Sequence, residues 1–294
     1  MRRLSGRVAV VTGAASGIGR ALAERFGREE MKVVLADVEM DALEAAVGEL
    51  RERGIEAVSV RCDVSRREDV EQLAAVTIET FGAVHVVCNN AGVESGAPFS
   101  EIPMATWDWV LGVNLHGVLH GCQVFLPLLR RQEEAHIVNT SSIAALNGYL
   151  LTGAPYVASK FAVLGLTENL HHELSASGSS VGVSLLCPGF VNTRMPLSER
   201  NRPAAVPASG EHPVRAAIGA AVVASAGLVG LEPAVVAEEV VDAIRSRRFY
   251  VLPHLDEALD AVRRRLRWMT DNVPPGPPPG TEATVAAFGG VVPA

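Results

Sequence analysis

Short runs of apolar, often β-branched residues alternate along the chain with longer stretches in which apolar residues recur at helical spacing. The short runs predict strands buried on both faces, and the longer stretches predict helices that cover them. The predicted strands are Val8–Thr12, Lys32–Ala36, Ala57–Arg61, Val84–Cys88, His136–Asn139, Val181–Leu186 and Phe249–Leu252. The predicted helices are Ile18–Glu30, Met40–Arg53, Ser65–Phe81, Trp107–Arg131, Tyr156–Ser175, Ala234–Arg245 and Leu255–Met269.

This alternation of strand and helix indicates an α/β fold. Strands joined by helical crossovers run parallel, and right-handed crossovers place helices on both faces of the sheet. We therefore expect a single doubly wound domain over residues 1–270 with a parallel sheet of about seven strands. No linker interrupts the pattern before residue 271.

Local signals refine three helix ends. Gly54 follows the second helix as a C-cap. Ser65 and Glu68 have capping-box spacing, which predicts that the third helix begins at Ser65. Pro127 lies inside the long fourth helix and predicts a kink there.

The C-terminal part departs from the pattern twice. Ala216–Leu231 contains no charged residue and is too short to span a bilayer, so we interpret it as a buried or lid helix, with membrane contact as the alternative. Residues 271–294 begin rich in Pro and Gly, which predicts an extended arm or disorder. Residues 286–294 are apolar again, and both docking on the body or on a neighbouring subunit and disorder remain open.

Composition and charge narrow the classes of function. The net charge of −7 argues against a nucleic-acid surface, and the N-terminus lacks a signal-peptide pattern. The four cysteines form no CxxC motif, which favours reduced thiols in a cytoplasmic protein over disulfides or zinc. His116 and His120 share a helix face without a third ligand nearby, so no metal site is expected. These features favour a small-molecule partner and no stable membrane insertion.

A glycine-rich turn follows the first strand and opens the first helix. Gly13, Gly17 and Gly19 let the backbone turn tightly and approach a pyrophosphate, whose charge the helix N-terminus attracts. Their spacing is GxxxGxG rather than the better-known GxGxxG. The turn therefore predicts a dinucleotide-binding site.

Asp37 ends the second strand about 20 residues after the glycine turn. A carboxylate at this point accepts hydrogen bonds from a ribose hydroxyl and repels the 2′-phosphate of NADP. Neither Ser16 in the turn nor Val38 after the carboxylate supplies a cation for that phosphate. The sequence thus predicts NAD as the cofactor.

Tyr156 and Lys160 stand at positions i and i+4 of a predicted helix and share one face. A free tyrosine has a pKa of about 10, too high for a proton acceptor near neutral pH. A fixed positive charge nearby favours the phenolate and lowers that pKa. The pair is therefore a candidate proton-transfer device.

Taken in order, these motifs resemble the short-chain dehydrogenase/reductase family. The resemblance rests on Thr12-Gly-x-x-x-Gly-x-Gly19, Asn89-Asn-Ala-Gly92, Asn114, Ser142, Tyr156-x-x-x-Lys160 and Pro188-Gly189. It extends from about Gly6 to Thr193 and is specific as a set. It implies one Rossmann domain that carries both the cofactor and substrate sites. It also implies a homo-oligomer, a dimer or a tetramer, built on the helices at 107–131 and 156–175.

The resemblance assigns four catalytic residues. It implies Tyr156 as general acid/base, Lys160 as a ligand of the nicotinamide ribose, Ser142 as a partner of the substrate oxygen and Asn114 as the holder of a relay water. The residues it implies in cofactor binding are Gly13, Ser16, Gly17, Ile18, Gly19, Asp37, Asp63, Val64, Asn90, Ala91, Gly92, Tyr156, Lys160, Pro188, Gly189, Val191 and Thr193.

Two positions depart from the family pattern. The separation of Ser142 and Tyr156 is one residue longer than the commoner family spacing, so Ser141 stays an alternative for the serine role. His85 stands where the family often has Asp, and we expect it to be buried or to cap a strand.

The expected function is NAD(H)-dependent hydride transfer between the nicotinamide and a secondary alcohol or ketone. The family places its substrate lid at about residues 190–231, which here turn from polar to apolar and favour a hydrophobic substrate. The alternatives are an NADPH-dependent 3-ketoacyl-type reductase and a non-catalytic dinucleotide-binding sensor.

Overall fold

In the computed structural model, one parallel sheet forms the centre of the molecule. The structure describes residues 1, 3–208, 213–220, 230–281, 285–286 and 288. The strands are β1 (Val8–Thr12), β2 (Lys32–Asp37), β3 (Ala57–Arg61), β4 (Val86–Asn89), β5 (Ala135–Thr140), β6 (Val181–Leu186) and β7 (Tyr250–Val251). Their order across the sheet is β3-β2-β1-β4-β5-β6-β7. The predicted doubly wound α/β fold with a seven-stranded parallel sheet is confirmed.

Helices cover both faces of this sheet. They are α1 (Gly17–Arg28), α2 (Met40–Glu52), α3 (Arg67–Phe81), α4 (Met104–Leu111), α5 (Gly117–Leu129), α6 (Ala144–Asn147), α7 (Ala154–Ala176), α8 (213–220), α9 (Pro233–Ser246) and α10 (Leu255–Thr270). A π-helical turn, Gly112–His116, joins α4 to α5, and short 3₁₀ segments lie at Phe99–Glu101 and Met195–Asn201.

Alternation along the strands divides the core into two layers. In β1, Ala9 and Val11 face a core built with α1, α2 and α9, whereas Val10 faces the core built with α3, α5 and α7. Every residue of β1 is buried, as expected for a strand covered on both sides. This double burial is why the strands appear in the sequence as continuous apolar runs.

Two local predictions differ from the structure, and one short helix was missed. Helix α3 begins at Arg67 rather than Ser65, because the Ser65 hydroxyl donates to Asp63 Oδ1 at 2.7 Å and does not cap the helix. The departure from regular geometry in the long fourth helix falls at Gly112–His116, whereas Pro127 lies within α5. The short helix α6 was not predicted.

The long helical stretch Met104–Leu129 is apolar enough to pass a length and composition test for a membrane span. Half of its most apolar window is buried inside the protein. Core helices of globular proteins pass the same test, so this stretch is weak evidence for a span.

The structure describes the predicted lid and tail only in part. Residues 216–220 belong to α8, whereas 221–229 of the predicted lid helix lie outside the described residues. Residues 273–278 form neither helix nor strand, in line with the Pro- and Gly-rich sequence. Most of the apolar end at 286–294 also lies outside the described residues.

His136 is a buried histidine in the middle of β5. Ser184 Oγ donates to the Arg248 carbonyl at 2.6 Å, so it accepts the hydrogen bond from His136 Nε2 at 2.8 Å. The other ring nitrogen, Nδ1, is buried without a hydrogen-bond partner among the described residues. Burial lowers the pKa of His136 to about 3, and the positive N-terminus and Arg247 act in the same direction.

We expect His136 to make the fold sensitive to acid. The unfolded chain takes up a proton near pH 6.5, whereas the folded protein does so only near pH 3, so stability falls as pH drops between these values. The slope is up to about 1.4 kcal/mol per pH unit for this residue. Urea unfolding from pH 7 to pH 4 should show a flatter pH dependence for His136→Gln than for wild type. The exposed His172, changed to Gln, is the control, and equal slopes in all three proteins would refute the prediction.

Candidate active site

A cavity of about 670 Å³ opens where the carboxyl ends of the strands meet the loops that follow them. The strand order reverses between β1 and β4, and ligands of doubly wound sheets bind at such a switch point. The volume lies within the range of about 300–1,000 Å³ typical of small-molecule sites. All predicted site residues line this cavity except Gly19 and Asn114.

The glycine turn forms one wall of the cavity. Gly13 and Gly17 have φ angles of +67° and +55°, which disfavour any residue with a side chain. A Cβ at Gly13 would lie 2.8 Å from Ala91 Cα, so only glycine lets the turn pack against the loop after β4. Gly19 lies behind the turn, where a Cβ would meet the Gly13 carbonyl oxygen at 2.2 Å. Gly19 therefore shapes the turn from below and does not face the cavity.

Thr12 and Asn90 tie the two loops at the switch point together. The Thr12 hydroxyl accepts the backbone N–H groups of Asn90 at 3.0 Å and Ala91 at 3.1 Å. Asn90 Nδ2 donates to the Thr12 carbonyl at 3.0 Å. These bonds hold the predicted segment Asn90–Gly92 against the glycine turn.

Asp37 lies at the end of β2 with its carboxylate at the cavity. Oδ2 accepts the Ala15 N–H at 3.0 Å, and Oδ1 accepts the N–H groups of Val38 at 2.7 Å and Glu39 at 3.1 Å. A carboxylate has about four acceptor sites, so capacity for a ribose hydroxyl remains. Asp37 thus both shapes the glycine turn and presents negative charge to the cavity.

Two arginines that the sequence did not single out, Arg194 and Arg200, line the cavity near Asp37 and are called here the arginine strap. Glu39 accepts hydrogen bonds from Arg200 Nε at 2.9 Å and from Asn201 Nδ2 at 2.8 Å, and Arg194 lies within 3.7 Å of its carboxylate. Partial burial acts to raise the pKa of Glu39, but these hydrogen bonds outweigh burial, and the pKa is lowered. Arg194 and Arg200 line the cavity and bring cations that the motifs near Asp37 did not reveal.

Asp63 and Val64 form the wall at the other side of the β2 end. Asp63 Oδ1 accepts the Ser65 N–H at 3.0 Å, which fixes the turn after β3. The Val64 carbonyl accepts a hydrogen bond from His120 Nδ1 at 3.0 Å. His120, which shares a helix face with His116, is therefore held by a hydrogen bond to the backbone. The described residues contain no cluster of side chains suited to a metal ion.

Tyr156, Ser142 and Lys160 meet at the inner end of the cavity. The Ser142 hydroxyl accepts the Ala144 N–H at 3.1 Å and lies close enough to the Tyr156 phenol to lower its pKa. Lys160 Nζ lies 5.4 Å from the Tyr156 ring centroid and donates to the Thr140 carbonyl at 3.0 Å. Ser141 Oγ instead donates to the Lys160 carbonyl at 2.8 Å. The geometry favours Ser142 over Ser141 as the partner of the tyrosine.

The pKa of Tyr156 differs from the sequence-based expectation. Tyr156 keeps part of its surface open to the cavity, yet burial raises its pKa to about 12, and the Glu94 carboxylate adds to the rise. The nearby Ser142 hydroxyl opposes this shift. Burial also lowers the pKa of Lys160 to about 8. In the protein alone, removal from water is the largest influence on this pKa, and the phenol holds its proton near neutral pH.

Asn114 lies in the π-helical turn and is fully buried. Its Oδ1 accepts the Val93 N–H at 2.8 Å, and its Nδ2 donates to the Val93 carbonyl at 2.9 Å and to Ser159 Oγ at 3.0 Å. Both N–H bonds of the amide are therefore used within the protein. The side chain holds the loop after Gly92 against α7, and it is not available to hold a water through Nδ2.

A buried ion pair closes the far end of the cavity. Arg215 of α8 bonds the Glu94 carboxylate and approaches Thr152 Oγ1 at 3.3 Å. Both charged residues are less than a tenth exposed. The pair fastens the lid to the loop after β4. No motif predicted it, because the two residues are 121 positions apart.

The loop after β6 and the tail complete the walls. Gly189 N–H donates to His254 Nδ1 at 3.1 Å, and Val191 pairs with Leu231 in an isolated bridge. Thr193 packs on the glycine turn, since a Cβ at Gly17 would lie 3.1 Å from its Cγ2. Pro278, Pro279, Gly280 and Thr281 also line the cavity. The Pro- and Gly-rich tail thus reaches the site, a destination that its composition did not predict.

These features define the class of protein. A parallel sheet with a glycine turn at its switch point, a carboxylate at the end of β2 and a tyrosine paired with serine and lysine form a dinucleotide-dependent oxidoreductase site. A sequence profile described as short chain dehydrogenase matches residues 7–203. The chain belongs to the short-chain dehydrogenase/reductase family.

Individual relatives agree with this assignment. The 1-deoxy-11-beta-hydroxypentalenate dehydrogenase of Streptomyces exfoliatus is 38% identical over 276 residues, covering 92% of this chain and 89% of the relative. A short chain dehydrogenase/reductase from Burkholderia phymatum in complex with NAD is 42% identical with a TM-score of 0.91, covering 95% and 99%. An alcohol dehydrogenase from Thermococcus sibiricus complexed with 5-hydroxy-NADP is 27% identical with a TM-score of 0.68, covering 84% and 95%.

Proposed function

We propose that the protein is an NAD(H)-dependent oxidoreductase acting on a secondary alcohol or its ketone. The observation that carries the proposal is that Tyr156, Ser142 and Lys160 line the same cavity as the glycine turn. Residues 1–270 form the catalytic domain, residues 190–231 the substrate lid and residues 271–294 the tail. Location in the cytoplasm and assembly into a homo-oligomer remain predictions.

The chain's own residues perform proton transfer and orientation. When bound, the nicotinamide supplies hydride acceptor or donor chemistry. Tyr156 takes the hydroxyl proton of the alcohol in oxidation and returns it to the carbonyl oxygen in reduction. Ser142 donates to the substrate oxygen as its charge changes. Lys160, held by the Thr140 carbonyl, stabilises the phenolate electrostatically.

The described residues fit a dinucleotide. The glycines keep the turn free of side chains, and the N-terminus of α1 faces the cavity beside them. Asp37 favours a free ribose hydroxyl over a 2′-phosphate. The NAD complex of the relative from Burkholderia phymatum supports the same preference, although another relative carries an NADP derivative. NAD is therefore the proposed cofactor.

A hydrophobic substrate suits the substrate end of the cavity. The apolar residues that line the cavity there include Trp109, Val113, Leu150, Leu151 and Ile218. The one charged feature described above at this end, the Glu94–Arg215 pair, is neutral as a whole. The relative from Streptomyces exfoliatus, whose name denotes dehydrogenation of a hydroxylated compound, supports the reaction class.

A direct assay of NADH formation tests the proposal. NADH formation is measured with a panel of apolar secondary alcohols, using NAD and NADP in parallel. Turnover with NAD supports the proposal, whereas a strict requirement for NADPH and 3-ketoacyl substrates would favour the reductase alternative. If no alcohol or ketone reacts while NADH still raises the melting temperature, the result favours the non-catalytic dinucleotide-binding sensor.

The raised pKa of Tyr156 predicts opposite pH profiles for the two directions. Oxidation needs the phenolate, whose fraction grows about tenfold per pH unit below the pKa, so kcat/KM for the alcohol should rise with pH on the alkaline side. Reduction uses the protonated phenol and should not gain from higher pH. Initial rates in both directions from pH 6 to 10 check this prediction. A pH-independent oxidation rate limited by chemistry would contradict it.

A further inference from the structure

Helix α10 carries an apolar stripe that the described part of the chain does not cover. Its inner face packs on the body through Ala258 and Ala261, which are buried, and through Arg265, which stacks on Phe161 at 4.6 Å. The stripe on its outer flank consists of Leu255, Leu259, Val262, Leu266 and Met269, which are 54%, 38%, 48%, 60% and 75% exposed.

The spacing of the stripe is that of a helix–helix seam. Successive members lie four, three, four and three residues apart. This alternation is the heptad pattern of helices that pair along their length. An isolated amphipathic helix that only covers a core would place such residues inward, yet here the inward positions are occupied by alanines. The stripe therefore has the pattern of a contact surface for a second helix.

Charge along α10 is divided between its two halves. The first half carries Asp256, Glu257 and Asp260, and the second half carries Arg263, Arg264, Arg265 and Arg267. At 3.6 residues per turn, Asp256, Arg263 and Arg267 follow the same side of the stripe. Among the described residues, Asp256, Arg263 and Arg267 take part in no ion pair, whereas Arg264 pairs with Asp260. The helix is thus electrostatically complementary to a reversed copy of itself.

We propose that α10 pairs antiparallel with α10 of a second copy of this chain. A two-fold axis at Val262 places that residue opposite its own copy, Leu259 opposite Leu266 and Leu255 opposite Met269. The same axis places Asp256 opposite Arg267 twice, once on each side of the axis. Such a self-complementary patch is what a two-fold dimer requires. A parallel pair would instead bring like charges together.

This surface is distinct from the helices to which the family resemblance points for assembly. Those helices are α4, α5 and α7, whereas α10 follows the last strand of the sheet. A membrane is a poorer occupant, because helices that lie on anionic lipid carry basic residues along the whole polar face. The acidic first half of α10 and the net charge of −7 oppose that role.

Charge exchange tests the pairing. Sedimentation velocity and light scattering at low salt measure the mass of wild type, Asp256→Arg, Arg267→Asp and the double exchange. Each single variant should weaken self-association at least about tenfold, because it opposes like charges at two symmetric positions, and the double exchange should restore it. Asp41→Arg, an equal charge change at an exposed position of α2 on the other face of the sheet, should have no effect. Unchanged masses, a monomeric wild type or a double variant without recovery would overturn the proposal.

A cross-linking variant checks the axis independently. The four native cysteines are buried, so a cysteine at position 262 would be the reactive surface thiol of the described chain. Val262→Cys should give a covalent dimer with a short bis-maleimide, while Asp271→Cys should not. Absence of that dimer, or a monomer that binds anionic vesicles through α10, would overturn the pairing.

Discussion

Tyr156→Phe is expected to remove nearly all alcohol oxidation and ketone reduction while leaving dinucleotide binding intact. The substitution deletes one oxygen, the atom that exchanges a proton with the substrate in the proposed function. General acid–base catalysis contributes about 10²- to 10⁴-fold, so kcat should fall by that factor. Initial rates of NADH formation measure the loss. The rise in melting temperature with NADH shows whether the cofactor still binds.

Tyr149→Phe provides the matched control for this loss. Tyr149 lines the same cavity, and its buried hydroxyl has no hydrogen-bond partner among the described residues. Deleting the same atom there should change kcat by a few-fold at most, because no proton route passes through it. Comparable losses in both variants would mean that cavity shape, rather than proton transfer at Tyr156, controls the rate. Full activity in Tyr156→Phe would assign the acid/base role elsewhere.

The sheet was predictable because its information is local. The bounds of Val8–Thr12, Ala57–Arg61 and Val181–Leu186 agree with the structure, since each is a short run in which valine recurs. The start of α3 was not predictable in this way. The Ser65 hydroxyl donates to Asp63, so it does not form the predicted capping box. In the π-helical turn at Gly112–His116 the backbone hydrogen bonds join residues five apart instead of four. This change does not alter which positions are apolar, so hydrophobic periodicity could not reveal it.

Some residues of the candidate site were likewise predictable from local sequence, and others were not. Motifs place Asp37 and the Tyr156–Lys160 pair, because each depends on a fixed short spacing or on the end of a strand. The Glu94–Arg215 pair joins the loop after β4 to the lid, and only the folded chain brings it together. The pKa of Tyr156 was misjudged for a related reason: spacing reveals the neighbouring lysine but not the loss of hydration.

Asp37→Asn is expected to shift cofactor preference from NAD toward NADP. The change removes the negative charge that opposes a 2′-phosphate and one acceptor for the ribose hydroxyl, while it keeps an oxygen for part of the backbone contacts at Ala15 and Val38. A hydrogen bond to a charged group contributes about 1.5–3 kcal/mol, so kcat/KM for NAD should fall by roughly 10- to 100-fold. The rate with NADP should rise. Steady-state kinetics with both cofactors measure the ratio.

The arginine strap is the reason to expect a gain with NADP rather than a loss with both cofactors. Arg194 and Arg200 already line the cavity near the end of β2, where Glu39 holds them, and a 2′-phosphate would compete with that carboxylate for them. Asp41→Asn, an exposed carboxylate in the first turn of α2, controls for the change in overall charge and should leave the ratio unchanged. The melting temperature of Asp37→Asn without cofactor shows whether the glycine turn is still folded, and so distinguishes a loss of structure from a change in cofactor recognition. If Asp37→Asn stays folded and keeps its preference for NAD, recognition of the ribose rests on other groups, and the argument against the NADPH-dependent reductase loses its physical basis.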